Sequence, residues 1–277
     1  MASGESIIDA LSASYVSAVS QAPILLTSKG SIDVETLEEI KRIGVHEAVI
    51  VGGVNVISEN VENQLKNQGL TVSKISGSNR YDTAAEIANI ASATLGLNQE
   101  KVFLCSGKTY ADALSIAPVT AKEKGIILLT DGHTLTEETK KFIKSGVRVK
   151  IIGGVGVISQ DLENKIKSTG AHVERIYGKD RFETSLEVYK KYFNSDGLKT
   201  AYLANGITMV DALTGAALAK KDGTGILLAR SDKMITAMKE DVIKVLKRLR
   251  VLGGTAVIQD NIWIKGYLED MNPLFGN

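Results

Sequence analysis

The stretch Asp112-Ala113-Leu114-Ser115, followed closely by Ile127-Leu128-Leu129-Thr130, occurs three times in variant form. Asp9-Ala10-Leu11-Ser12 precedes Ile24-Leu25-Leu26-Thr27, and Asp211-Ala212-Leu213-Thr214 precedes Ile226-Leu227-Leu228-Ala229. The three aspartates are 103 and 99 residues apart. A glycine pair trails each copy, as Gly52-Gly53, Gly153-Gly154 and Gly253-Gly254, at intervals of 101 and 100 residues. Landmarks in one order at one period of domain size indicate tandem copies of a small globular module, because solenoid and propeller repeats are much shorter.

Working outward, each copy alternates strand and helix. In the second, Thr71–Ile75, Lys101–Cys105, Ile126–Thr130 and Arg148–Ile152 read as strands. Between them Tyr81–Leu95, Ala111–Glu123, Thr136–Lys144 and Gln160–Ser168 read as helices, with Ser159 as an N-cap and Gly170 as a stop. Ile126–Thr130 shows no polar alternation, as expected of a strand covered on both faces. The third copy repeats the order: strands His172–Ile176, Thr200–Ala204, Gly225–Ala229 and Arg250–Leu252, and helices Arg181–Tyr192, Asp211–Lys220, Ile235–Arg248 and Asn261–Asp270. This density predicts parallel sheets with right-handed crossovers. The fold class is therefore α/β, as three tandem Rossmann- or flavodoxin-like modules with limits 1–69, 70–170 and 171–277. The joints lack linkers, so the modules are expected to pack as a ring with approximate threefold symmetry, like a covalent trimer. Aligning Ser3-Gly4 with Ser106-Gly107 leaves the first module without its opening segment, which predicts a protein that extends further toward its N-terminus.

The bulk numbers fit. Hydrophobic residues make up 44% and aromatics only 5%, so the cores must be aliphatic. With 33 basic against 32 acidic residues the net charge is +1, which argues against a uniformly basic nucleic-acid surface. No apolar run is long enough to span a bilayer, and no signal segment opens the chain. The single Cys105 allows no internal disulfide.

Four features could carry chemistry. Gly77-Ser78-Asn79-Arg80-Tyr81-Asp82-Thr83 is matched by Gly178-Lys179-Asp180-Arg181-Phe182-Glu183-Thr184, 101 residues on. A guanidinium beside a helix start suits a phosphate or carboxylate, but the same arginine can instead bind loop carbonyls. Asp9, Asp112 and Asp211 each follow a Gly-containing loop at a strand's carboxyl end, where α/β proteins bind ligands; capping of the helix is the plainer expectation. The glycine pairs lack the G-x-G-x-x-G spacing of a dinucleotide fold and read as tight turns. His46, His133 and His172 fall at unrelated points of the repeat, so they make no recurring metal set, and Cys105 reads as a buried apolar residue. No Gly-x-Ser-x-Gly elbow is present.

The ordered combination Gly-x-x-Arg-(Tyr/Phe)-x-Thr, Ser-Gly…Asp-Ala-Leu-Ser, Ile-Leu-Leu-Thr and Val-Ile-(Val/Ile)-Gly-Gly-x-x-x-Ile-Ser resembles the cell-wall-binding repeat type 2 family over almost the whole chain. That resemblance implies a pseudo-threefold assembly, without enzymatic activity, that anchors a surface protein to an anionic secondary cell-wall polysaccharide at a Gram-positive surface. It implies no cofactor. Ligand contacts would come from Arg80, Arg181 and Lys29, from the loop hydroxyls of Thr27, Ser28, Ser106 and Thr130, and from backbone at Gly52, Gly53, Gly153 and Gly154. Further partners would be other surface-layer chains or an N-terminal remainder of the protein, with no nucleic acid and no membrane. The first module lacks the arginine motif, and the third ends Ile-Leu-Leu-Ala and replaces the capping serine with Gln259. Equal binding by all three is therefore not expected. A nucleotide- or phosphate-binding α/β enzyme and a structural lattice module remain the alternatives.

Overall fold

A computed structural model describes residues 1–193, 200–232, 234–242, 246 and 248–259. The expected helix Asn261–Asp270 and part of the expected helix Ile235–Arg248 lie outside them. All described strand pairs are parallel. In the middle of the chain, β5 (Lys101–Ser106), β6 (Ile126–Thr130), β7 (Arg148–Ile152) and β8 (His172–Ile176) form one sheet in the order β6-β5-β7-β8. The first copy contributes β1 (Ala2–Ser3), β2 (Leu26–Thr27), β3 (Glu47–Val51) and β4 (Thr71–Ile75), pairing β1 with β2 and β3 with β4. Met1 joins those pairs: its amine donates to the Val49 carbonyl at 2.8 Å and its carbonyl accepts from Val51 N at 3.0 Å. The third copy gives β9 (Thr200–Asn205), β10 (Ile226–Ala229) and β11 (Arg248–Val251) in the order β10-β9-β11. The same sequence pattern thus yields the same strand order each time, with the first strand of a copy central.

Helices α1 (Ile8–Ser20), α5 (Ala111–Glu123) and α9 (Val210–Lys221) begin with the Asp-Ala-Leu motif, and each packs against the other two. This is the pseudo-threefold centre. Small residues make it possible, since Ala10, Ala18, Ala113, Ala117, Ala212, Ala216 and Ala219 are all but fully buried and let the helix backbones approach. Residues 111–121 of α5 are buried without exception, whereas the outer helices α2 (Val34–Ile43), α3 (Glu59–Asn67) and α7 (Gln160–Ser168) bury one stripe each. A single apolar cluster runs through the centre and across the module joints, and a smaller one lies under α2 and α3. Helix α4 (Arg80–Leu95) bridges a joint by packing on β6 of its own copy and α1 of the copy before; α8 (Arg181–Phe193) does the same with β10 and α5.

Most expected elements appear within a residue of their expected limits, and three points differ. Thr71–Ile75 and His172–Ile176, read as opening the second and third modules, instead close the preceding sheets, with Val51 opposite Ile75 and Ile152 opposite Ile176. A short return through Gly69 (φ +83°) or Gly170 (φ +85°) lays each strand beside the sheet the chain has just left. The helix expected over Thr136–Lys144 is only Glu137–Lys140 (α6), capped by the Thr136 hydroxyl, because the backbone tightens into three-residue turns. Those turns bury Phe142 and Ile143. Finally, the aspartates are not caps. Asp9, Asp112 and Asp211 occupy the second position of α1, α5 and α9, behind Ile7, Tyr110 and Met209, and no cap hydrogen bond forms from a side chain there.

Candidate functional site

The arginine motif is a self-contained helix start. Asn79 Oδ1 accepts from Tyr81 N and Asp82 N at 2.9 and 3.0 Å, and Asp180 Oδ1 accepts from Phe182 N and Glu183 N, both at 2.9 Å. The Thr83 and Thr184 hydroxyls accept from Gly77 N and Gly178 N, each at 3.0 Å. That closure leaves no room at the glycine: a methyl group on Gly178 would lie 2.3 Å from Glu183 Cβ and 2.5 Å from its carbonyl carbon. Gly178→Ala is expected to cost about 2 kcal/mol in urea unfolding, the usual scale of overpacking. Gly156→Ala, where a methyl group meets nothing within 4 Å, should cost nothing. The aromatic residue that follows the arginine lies over the next loop, where a methyl group on Gly107 would meet the Tyr81 ring at 2.6 Å and one on Gly206 the Phe182 ring at 2.8 Å. Arg80 Nη1 then donates to the Gly107 carbonyl at 2.8 Å, and Arg181 Nη1 to Gly206 at 3.0 Å. This is the loop-carbonyl role weighed in the sequence, and the remaining guanidinium donors stay available.

The motif also serves the neighbouring copy. Arg80 carries its charge toward Asp9, and Arg181 toward Asp112. Each of these aspartates faces the first glycine of its own Gly-Gly pair. A methyl group on Gly52 would sit 3.1 Å from Asp9 Oδ2, one on Gly153 2.8 Å from Asp112 Oδ2, and one on Gly253 2.6 Å from Asp211 Oδ2. Those glycines have φ of +118°, +117° and +100°, where a side chain would be strained as well as obstructed. Each complete junction therefore takes an aspartate and a Gly-Gly turn from one copy and an arginine from the next. Burial pushes the Asp112 carboxyl up to about 7, with Arg181 opposing, and moves Asp9 upward with Arg80 opposing. Cys105 is fully buried, and burial and then the Asp112 charge push its thiol well above the usual range.

The other expected contacts divide. Gly52 N and Gly153 N donate into the sheet, to Ile75 O and Ile176 O at 2.9 Å. The amides of Gly53 and Gly154 donate to no described group and are half-exposed. Thr27, Ser106 and Thr130 are buried and shape their own loops: Thr27 Oγ1 donates to Ser31 O at 2.8 Å, Thr130 Oγ1 donates to Thr134 O at 2.5 Å, and Ser106 Oγ accepts from Lys108 N at 3.1 Å. Ser28 Oγ donates to Ser31 O at 2.7 Å, while the Lys29 side chain is exposed. Reading by repeat passed over Tyr177, an exposed aromatic against Gly154 whose counterpart in the previous copy is Ser76. Its signal was the departure from the repeat, not the match. Among the described residues no His, Cys, Asp and Glu cluster could hold a metal ion, and no helix is long and apolar enough to cross a membrane.

A ring of α/β repeats with polar junctions at the strands' carboxyl ends defines a class of tandem binding modules. The chain belongs to the cell wall binding domain 2 (CWB2) family, which matches residues 1–62, 74–163 and 175–263. It is 31% identical over 262 residues to the N-acetylmuramoyl-L-alanine amidase LytC of Bacillus subtilis, covering 94% of this chain and 51% of that protein. It is 33% identical over 234 residues to the amidase enhancer of the same organism, covering 84% of this chain and 31% of that one. The chain thus spans about half the length of the first relative and a third of the second. Among solved structures, Cwp8 from Clostridium difficile superposes with a TM-score of 0.81 at 28% identity, over 94% of this chain and 45% of its own. Cwp6 from the same organism gives 0.84 at 23% identity, over 94% and 41%, which speaks for the fold. The protein is a cell-wall-binding module with a cell wall or surface location.

Proposed function

We propose that this chain holds a secreted protein non-covalently on an anionic secondary cell-wall polysaccharide and performs no chemistry of its own. The observation that carries the reading is the repeated junction: Arg80 acts on Asp9 and Arg181 on Asp112, each aspartate faces a Gly-Gly turn, and the Gly53 and Gly154 amides donate to no described group. Free amides and a guanidinium together bind phosphate or carboxylate groups without needing a particular sugar. Lys29 and Ser28 add an exposed cation and a half-exposed hydroxyl on the first module. One such contact is worth roughly 1–3 kcal/mol. Retention then comes from two junctions meeting one polymer, which multiplies affinity through effective concentration.

Co-sedimentation with purified Bacillus subtilis walls, before and after extraction of the phosphate-bearing polymer, tests the reading. Pelleting should fall on extraction and weaken with salt. Arg80→Gln and Arg181→Gln should each weaken binding about ten-fold, and the double variant by more than either alone. Equal pelleting with stripped walls would discard the anionic polymer as the ligand.

A further inference from the structure

We infer that the junction between the second and third copies is a dedicated sugar subsite, in which a pyranose ring of the wall glycan stacks on Tyr177 and donates a hydroxyl hydrogen bond to Asp112. This rests on the anchoring role proposed above and goes further by naming which junction reads sugar and with which groups. Asp112 is 5% exposed, and among the described residues none hydrogen-bonds its carboxylate, whose oxygens are not among the fully buried atoms without a partner. Its nearest guanidinium, Arg181, is committed on one side to Gly206 O. A nearly buried carboxylate that no described residue hydrogen-bonds, yet that a small donor can still reach, suits a sugar hydroxyl, which is a donor of the right size and charge. Asp112 Oδ2 faces Gly153, and the Tyr177 ring lies against Gly154, 3.7 Å from where a methyl group there would sit. Tyr177 and Asp112 therefore bracket the same two-residue turn, with the free Gly154 amide between them.

Tyr177 is 57% exposed although it directly follows the buried Ile176, and Val155, next in sequence to Gly154, is 59% exposed. An exposed ring beside buried polar groups is the arrangement in which aromatic residues contribute most to binding. The first junction has Asp9, Arg80 and the Gly52-Gly53 turn, but Ser76 replaces the ring and Asp9 is only half-buried. It offers charge without a stacking surface. The two junctions thus divide the work: the first holds anionic groups alone, and the second holds a sugar as well.

The test uses the whole chain and purified Bacillus subtilis walls. Tyr177→Ser, which copies the first junction, should weaken wall binding about ten-fold, equally at low and high salt, because stacking is not screened. Its thermal midpoint should not move. Asp112→Asn should weaken binding in the same salt-independent way while the protein stays folded. Ser76→Tyr should leave binding unchanged or strengthen it. If wild-type protein pellets and Tyr177→Ser pellets equally well, the sugar subsite is wrong and the anchoring reading stands. A Tyr177→Ser defect that disappears at high salt also overturns the subsite, by assigning the residue to an electrostatic role. If wild type does not pellet with walls at all, the anchoring reading falls and the subsite falls with it.

Discussion

Asp112→Asn should make the protein more stable by roughly 4 kcal/mol at pH 8 and change little at pH 4, read as the difference in urea midpoints between the two proteins. The native carboxyl titrates at about 7, above its ordinary value of 3.8, because burial disfavours its charge. The folded protein consequently holds a proton that the unfolded chain has already released between those two values. Wild-type stability from this group is complete below about pH 4 and declines as the pH rises to 7. An amide in the same place never ionises and removes that decline. An equal gap at both pH values, or a less stable variant at pH 8, would show that the carboxylate is solvated or paired in the native protein. Perturbed acids collect where a ligand must be met, and natural proteins accept the loss of stability there. This is the energetic counterpart of the sugar subsite, measured without any sugar.

Arg175→Ala should cost about 3 kcal/mol, the scale on which a buried ion pair is missed when one partner is removed. Arg175 and Glu163 are 8% and 9% exposed at their side chains, and Arg175 Nε donates to Glu163 Oε2 at 2.8 Å. A second nitrogen, Nη1, donates to the Gly153 carbonyl at 2.8 Å, so the same side chain holds the turn that Asp112 faces. Burial pushes the Glu163 carboxyl up, but hydrogen bonds from Lys167 and Arg175 more than offset it and hold it below the usual range. The stability this carboxylate contributes is present above the ordinary glutamate value and is lost as the pH falls through its lowered one. Without Arg175 that loss should begin at a higher pH. A thermal melt series from pH 7 to pH 3 reads both effects, and an unchanged acid limb would show that Lys167 alone, 2.6 Å away and half-exposed, carries the pair. Glu62 and Lys74 stand at the same places one period earlier, where Lys74 donates to the Ile57 carbonyl at 3.4 Å and acts on Glu62 only through its charge, with no ion pair between them among the described residues. The same substitution at Lys74 should therefore cost much less.

Much of this molecule was legible because its residues act locally. The run Ile126–Leu129 ahead of Thr130 has no polar alternation and reads as a strand covered on both faces, and Ile126–Thr130 is buried throughout. Ser159 was readable as a cap because a hydroxyl before a helical stripe needs no distant partner, and it accepts from Leu162 N at 3.2 Å. The arginine motif was legible in position and in its loop-carbonyl role, but not in which loop it holds. Its glycine is required by a contact five residues away, while its guanidinium works on a loop 25 to 27 residues on.

The sequence by itself determined that three like units of parallel strands and helices make up the chain, because a hydrophobic pattern repeated at domain length admits few other folds. It could not determine where one unit ends, since a periodic pattern has no marked origin. Hydrogen bonding between β3 and β4 and between β7 and β8 decided which sheet Thr71–Ile75 and His172–Ile176 join. Nor could it tell a capping aspartate from one turned toward a Gly-Gly bend, because both stand at the start of a helix. Only the packing of α1, α5 and α9 about a common centre, and of each arginine helix over the copy before it, brought Asp9 to Arg80 and Asp112 to Arg181. The physical reason is that a junction's energy depends on groups from two copies, and their separation in the chain says nothing about their distance in the fold.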